Sequence, residues 1–135
     1  MSENRAEARI SLANIEHNYR LLCRKAGEKR IVMAVVKADA YGHGAVEVCR
    51  RLSDAGATHF AVACMEEAAL LRRSGIRGEL LVLGITPQEL YPSIAEYDVV
   101  QTVSSLAYAS QLADCGPVRV HIKIDTGMSR LGLYC

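Results

Sequence analysis

Ile31-Val32-Met33-Ala34-Val35-Val36-Lys37-Ala38-Asp39-Ala40-Tyr41-Gly42-His43-Gly44 is an apolar run that ends in a lysine and passes at once into a glycine-bearing turn. Residues 31–37 show no polar alternation, which is how a parallel strand covered on both faces reads. The same kind of run recurs at His59 to Cys64, Glu79 to Leu83, Val99 to Val103 and Val118 to Ile124, with a helical pattern between each pair. A helix from Leu12 to Ala26 precedes the first strand and stops at Gly27. The next places Ala45, Val48, Cys49 and Leu52 on one face and stops at Gly56. A third runs from about Met65 to Ser74, before Gly75. A fourth is predicted to open at Thr86-Pro87-Gln88-Glu89, a capping box with Pro at its first helical position. The order is βαβαβαβαβ, so the fold class is α/β with a parallel sheet.

Two architectures use such units. Five can complete a doubly wound domain, or they can be five of the eight strands of a TIM-type barrel, which takes roughly 250 residues where this chain has 135. A doubly wound dinucleotide site wants G-x-G-x-x-G after the first strand; here Gly42-x-Gly44 is followed by Glu47 where the third glycine belongs. Periodicity alone leaves the choice open.

Composition narrows the class of function. Half the residues are apolar, and 16 basic against 15 acidic side chains leave a formal charge of +1, ordinary for a domain with a sizeable core and unsuited to a nucleic-acid surface. The longest apolar run is far below the roughly 20 residues of a membrane span, and Met1 to Glu7 has no signal-peptide character. The chain is therefore expected to be soluble and cytoplasmic. Cys23, Cys49, Cys64, Cys115 and Cys135 are scattered without a C-x-x-C, which predicts free thiols and no metal site.

Lys37 is expected at the carboxyl end of its strand, where α/β sheets and barrels keep their ligand sites. A lysine leaving an apolar strand into a dry cavity has its charged form disfavoured, which frees the amine for Schiff-base chemistry; the alternative is a lysine snorkelling into solvent. The second chemical stretch is Val118 to Gly132. Val118, Val120, Ile122 and Ile124 alternate with Arg119, His121 and Lys123, so three basic groups share one strand face. Burying them is costly unless an anion meets them; a solvated edge-strand face is the other reading.

Taken together, V-V-K-A-D-A-Y-G-H-G at 35–44 and H-I-K-I-D-T-G-M-S-R-L-G at 121–132 resemble two signatures of the fold-type III, pyridoxal-5′-phosphate-dependent alanine racemases. A-R-I-S-L-A-N-I-E-H-N at 8–18 and L-L-V-L-G at 80–84 also fit. The resemblance implies an amino-terminal segment over 1–11 and a partial cofactor-binding barrel over 12–135. It implies Lys37 as the Schiff-base lysine and as the base on one face of the substrate carbon, and Tyr41 as a ligand of the cofactor phosphate. Leu83 would pack beside the cofactor ring. Arg130 would meet the phenolic oxygen and the substrate carboxylate. Lys123 matches a position that is carbamylated in many relatives, which would turn a cation facing Arg130 into a partner for it. His43 is expected to orient backbone, His17 and His59 to be structural, and His121 is a candidate support for the site.

The implied activity is interconversion of L- and D-alanine by a homodimeric parent enzyme, supplying D-alanine for peptidoglycan. Serine racemization within the same family, and a non-catalytic cofactor-binding module, are the alternatives. The family pattern continues past Cys135 with a pyridine-contacting arginine, most of the phosphate-binding backbone, a carboxyl-terminal β domain and a tyrosine base from the partner subunit. This chain by itself is thus expected to be inactive, with unpaired edges at its first and fifth strands that favour self-association.

Overall fold

The computed structural model describes residues 7–134. Of the residues discussed above, Met1 to Ala6 and Cys135 lie outside the described range. Helix α1 (Leu12–Ala26) occupies the expected span; Ser11 Oγ accepts the Asn14 N–H at its start, and Gly27, at φ 81°, ends it. Strands β1 (Ala34–Val35), β2 (His59–Val62), β3 (Glu79–Val82), β4 (Val100–Val103) and β5 (Val120–Ile122) form one sheet in the order β1-β2-β3-β4-β5, every pair parallel. Between them lie a short turn α2 (Lys37–Gly42) and the helices α3 (Ala45–Asp54), α4 (Met65–Arg73), α5 (Tyr91–Glu96) and α6 (Leu106–Ala113).

Consecutive strand order resolves the choice that the periodicity left open. A doubly wound sheet reverses direction beside its first strand, giving orders such as 3-2-1-4-5. A sheet that always steps the same way, through right-handed crossovers, carries its helices on one face only and is the wall of a (β/α) barrel.

The packing agrees. Phe60, Val62, Leu80, Val82 and Val103 are fully or almost fully buried against Val48, Leu52, Ala68, Leu71, Ile94 and Leu112 of the helices. The strand residues between them point the other way, where Ala61, Leu81 and Val100 form a second, smaller cluster with Met33 and Leu83. The register aligns Ala61 with Leu81 and Leu81 with Val100, so this inner patch is one continuous row. Val35, Val120 and Ile122 on the edge strands are exposed.

The predicted capping box at Thr86 does not form. Thr86 is 2% exposed, and its hydroxyl donates to Gln101 Oε1 at 2.6 Å while its N–H donates to the Tyr108 hydroxyl at 3.0 Å. The chain turns through a 3-10 segment, Gln88–Leu90, and α5 begins only at Tyr91. The Thr86 side chain serves the core because β4 carries Gln101 onto the crowded helix face, where it is completely buried and needs partners. Gln101 Nε2 donates to the carbonyls of Gly84 and Thr102. Also unanticipated is a two-residue parallel pair, β6 (Ile124–Asp125) with β7 (Leu133–Tyr134), that folds the second signature back on itself.

Candidate active site

The β1–β2 ladder ends with Val36 N–H donating to Ala61 O at 2.8 Å. The chain then enters a single left-handed turn: Ala38, Asp39, Ala40 and Tyr41 have φ of 51–57° and ψ of 36–51°. Each such residue costs an L-amino acid roughly 1–2 kcal/mol, so four in a row persist only when the surroundings hold them. Backbone bonds close the turn, from Ala40 N–H to Val36 O (2.9 Å) and from Gly44 N–H to Asp39 O (3.0 Å). Three side chains brace it. Asp39 Oδ1 accepts the Ala45 N–H at the start of α3 at 2.7 Å, His43 Nδ1 donates to Ala40 O at 2.7 Å, and Glu67 Oε1 of α4 accepts the Ala38 N–H at 2.7 Å. His43 thus orients backbone, as expected.

The second signature is shaped by Asp125. Its Oδ1 accepts the N–H groups of Gly127 (2.9 Å) and Ser129 (3.0 Å), and these bonds, that from Ser129 first, hold the carboxyl below the usual aspartate range. The turn closes where Leu133 N–H donates to Lys123 O at 2.8 Å. Gly132 sits at φ 133°, and a Cβ there would lie 2.7 Å from Asp125 N, so only glycine permits the approach. This turn carries Arg130 back over the carboxyl ends of the strands.

Between the two turns lies a cleft of ≈ 280 Å³, close to the lower end of small-molecule sites, about 300 Å³. Lys37, Leu83, His121, Lys123 and Arg130 line it, over a floor that includes Leu81 and Thr102. Thr102 and His121 are register partners on β4 and β5, which places the basic face of β5 on the inside of the sheet. Of Lys37, Tyr41, Leu83, Lys123 and Arg130, Tyr41 alone does not line the cleft; it is 60% exposed, with Lys37 Nζ 6.0 Å from its ring centroid. Lys37 is half-buried.

Of the two readings of the basic face of β5, this chain shows the solvated one. Arg119, His121 and Lys123 are all exposed, so the cost of burying three basic side chains is not incurred; Arg119 pairs with Glu79 and Asp98, and Lys123 Nζ donates to Ile124 O at 3.2 Å. His59 is remote from the cleft, at the amino end of β2, with Nε2 3.8 Å from Glu79 Oε1. Among the described residues no cluster of side chains suits a metal ion, and no helix is long and apolar enough to cross a membrane. A larger groove of ≈ 660 Å³ lies between α6 and β5, but its lining has no titratable side chain.

Two contributors escaped the sequence reading. Thr102 is buried, lines the cleft, and its Oγ1 has no hydrogen-bond partner among the described residues; the alternation of β4 was the available signal. Glu67 reaches the Lys37 turn from 29 residues away, and no local pattern announces that.

A singly wound parallel sheet with a lysine at one strand end and cations at another defines this chain as the ligand-bearing wall of a (β/α) barrel. It belongs to the alanine racemase family: the description "Alanine racemase, N-terminal domain" matches residues 10–135. Alanine racemase 1 of Clostridium acetobutylicum is 45% identical over 132 residues, covering 93% of this chain and 33% of that protein. The crystal structure of alanine racemase from E. faecalis superimposes with a TM-score of 0.87 at 36% identity, over 91% of this chain and 35% of that one. The Bacillus anthracis alanine racemase with bound L-Ala-P gives 0.84 at 38% identity, over 92% and 33%. The chain therefore spans about a third of the length of its relatives.

Proposed function

We propose that the protein carrying this chain is a pyridoxal-5′-phosphate-dependent racemase that interconverts L- and D-alanine. The observation that carries this reading is the convergence of Lys37, Leu83, Lys123 and Arg130 on one cleft at the carboxyl ends of the strands. The names of the relatives support alanine over serine.

The residues present fit the cofactor. A half-buried primary amine, an apolar floor for a ring at Leu81 and Leu83, a cationic rim for anionic oxygens and a Thr102 hydroxyl without a partner among the described residues suit a phosphorylated pyridine aldehyde. When bound, this group supplies an electron sink for the pair left when a Cα–H bond breaks. Lys37 Nζ would hold the group covalently and, once the substrate's amine displaces it, would be the base that takes the Cα proton on one face. Tyr41, exposed beside Lys37, is the candidate phosphate ligand. Leu83 would pack on the ring, and Arg130 would hold the substrate carboxylate and the phenolic oxygen. Carbamylation of Lys123 would let it pair with Arg130, where two cations repel.

Racemization needs a proton donor on the opposite face; in this reading the parent is a homodimer whose second subunit contributes it. D-alanine for peptidoglycan and a cytoplasmic location complete the reading. Borohydride reduction of the cofactor-loaded full polypeptide, followed by peptide mapping, should leave the pyridoxyl mass on Lys37, and label on another lysine refutes it. Turnover of alanine and serine side by side separates the two substrates.

A further inference from the structure

We infer that Glu67 is a positioning residue for Lys37, acting as a surrogate for the strand pairing that β1 gives up where the lysine leaves the sheet. The inference rests on the functional reading only in taking Lys37 as the cofactor-bearing amine.

The β1–β2 ladder stops one residue before Lys37. In a parallel pair, alternate residues of one strand bond both neighbours of the residue opposite. Val36 N–H donates to Ala61 O (2.8 Å), so a continuing ladder would send Ala63 N–H to Val36 O and Ala38 N–H to Ala63 O. Neither bond forms. Val36 O accepts Ala40 N–H in the left-handed turn, and Ala63 O accepts Gly84 N–H at 3.0 Å on the β3 side. The two released donors, from both strands, converge on one carboxylate: Ala38 N–H to Glu67 Oε1 and Ala63 N–H to Glu67 Oε2, each at 2.7 Å.

Lys37 lies between the last backbone bond of the ladder and the first carboxylate bond that replaces it. Its Cα is therefore pinned on both sides, at the entrance to a turn that four left-handed residues would otherwise relax. A carboxylate is needed because both of its oxygens only accept. An amide offers one accepting oxygen and turns its NH₂ toward the other N–H, so Glu67→Gln frees one donor; the shorter Asp cannot span both. The neighbouring Glu66 is exposed and accepts from the Cys64 thiol, while neither the Ala38 nor the Ala63 N–H bonds to it, which makes it the internal control.

The test uses the full polypeptide, with pyridoxal 5′-phosphate as the probe. In the wild type, amide hydrogen exchange should show Ala38 and Ala63 both protected, with or without cofactor. Glu67→Gln should remove protection from at least one of them, raise the cofactor dissociation constant about tenfold and diminish the visible circular dichroism of the bound cofactor, whereas Glu66→Gln changes none of these. Unprotected Ala38 in the wild type overturns the inference without any variant. So does a Glu67→Gln protein that melts earlier yet keeps the wild-type dissociation constant and dichroism, since that is the mark of a merely structural glutamate. If wild-type protein fails to take up pyridoxal phosphate on Lys37 while Ala38 and Ala63 remain protected, the functional reading fails and the clamp itself stands.

Discussion

Leu80 and Leu81 are the same residue, adjacent on the same strand, and belong to different parts of the molecule. Leu80 points to the helices and is completely buried in the main core; Leu81 points inward, retains 7% exposure and floors the candidate active site. One face of the sheet is closed by packing, and the other is open and edged with charge. β3 thus contributes to the closed core with one face and to the candidate site with the other, the period of two along the strand keeping them apart.

The comparison is broken if the two leucines prove equivalent. Leu80→Ala, which opens a cavity in a close-packed layer, should cost about 3–5 kcal/mol in urea denaturation of the full polypeptide, while Leu81→Ala, beside an open cleft, should cost about 2 kcal/mol. Only Leu81→Ala should weaken cofactor binding at saturating folded protein. Equal losses of stability, or equal losses of affinity, would mean that the faces are not functionally distinct.

The closed face can be sharpened at its polar centre. Thr86 N–H, buried against the Tyr108 hydroxyl, would lose its partner in Tyr108→Phe, and an unsatisfied buried donor costs about 1–3 kcal/mol. Burial is also the main cause that raises the Tyr108 phenol above its usual range. The variant should denature earlier and leave pyridoxal phosphate binding unchanged. A loss of affinity without a loss of stability would place Tyr108 with the site.

The smallest expected effect lies on the open face. The Asp125 carboxyl is held low in the folded chain by the Ser129 and Gly127 N–H groups. Its contribution is therefore complete above the unfolded carboxyl value of about 3.9 and is lost as the pH falls through the lower folded value. Protection of the Gly127 and Ser129 amides, taken relative to their intrinsic exchange rates, should fall as the pH drops below the unfolded carboxyl value and through the lower folded one, ahead of the Leu80 layer. Asp125→Asn should abolish that pH dependence. Simultaneous loosening of both faces would show a single cooperative unit.

Much of this organisation is legible residue by residue. The apolar runs at 31–37, 59–64 and 79–83 locate three strands because a strand covered on both faces must be apolar throughout, and the residues at 37, 83, 123 and 130 meet in one cleft. The capping box at Thr86 misled because its local pattern competes with a buried glutamine 15 residues away, and the tertiary partner won. The basic face of β5 stayed open between a buried and a solvated reading because alternation assigns side chains to faces and says nothing of how deeply a face is covered.

By itself the sequence determined the element types, the parallel sheet and the position of the strand-end lysine, all consequences of periodicities of 2.0 and 3.6 residues that are properties of short segments. Only the tertiary structure decided the consecutive strand order, the left-handed turn at Ala38 to Tyr41 and the reach of Glu67 to both strands. Each of these depends on which distant backbone donors and acceptors are left over when strands part, and such leftovers exist only once the chain has folded.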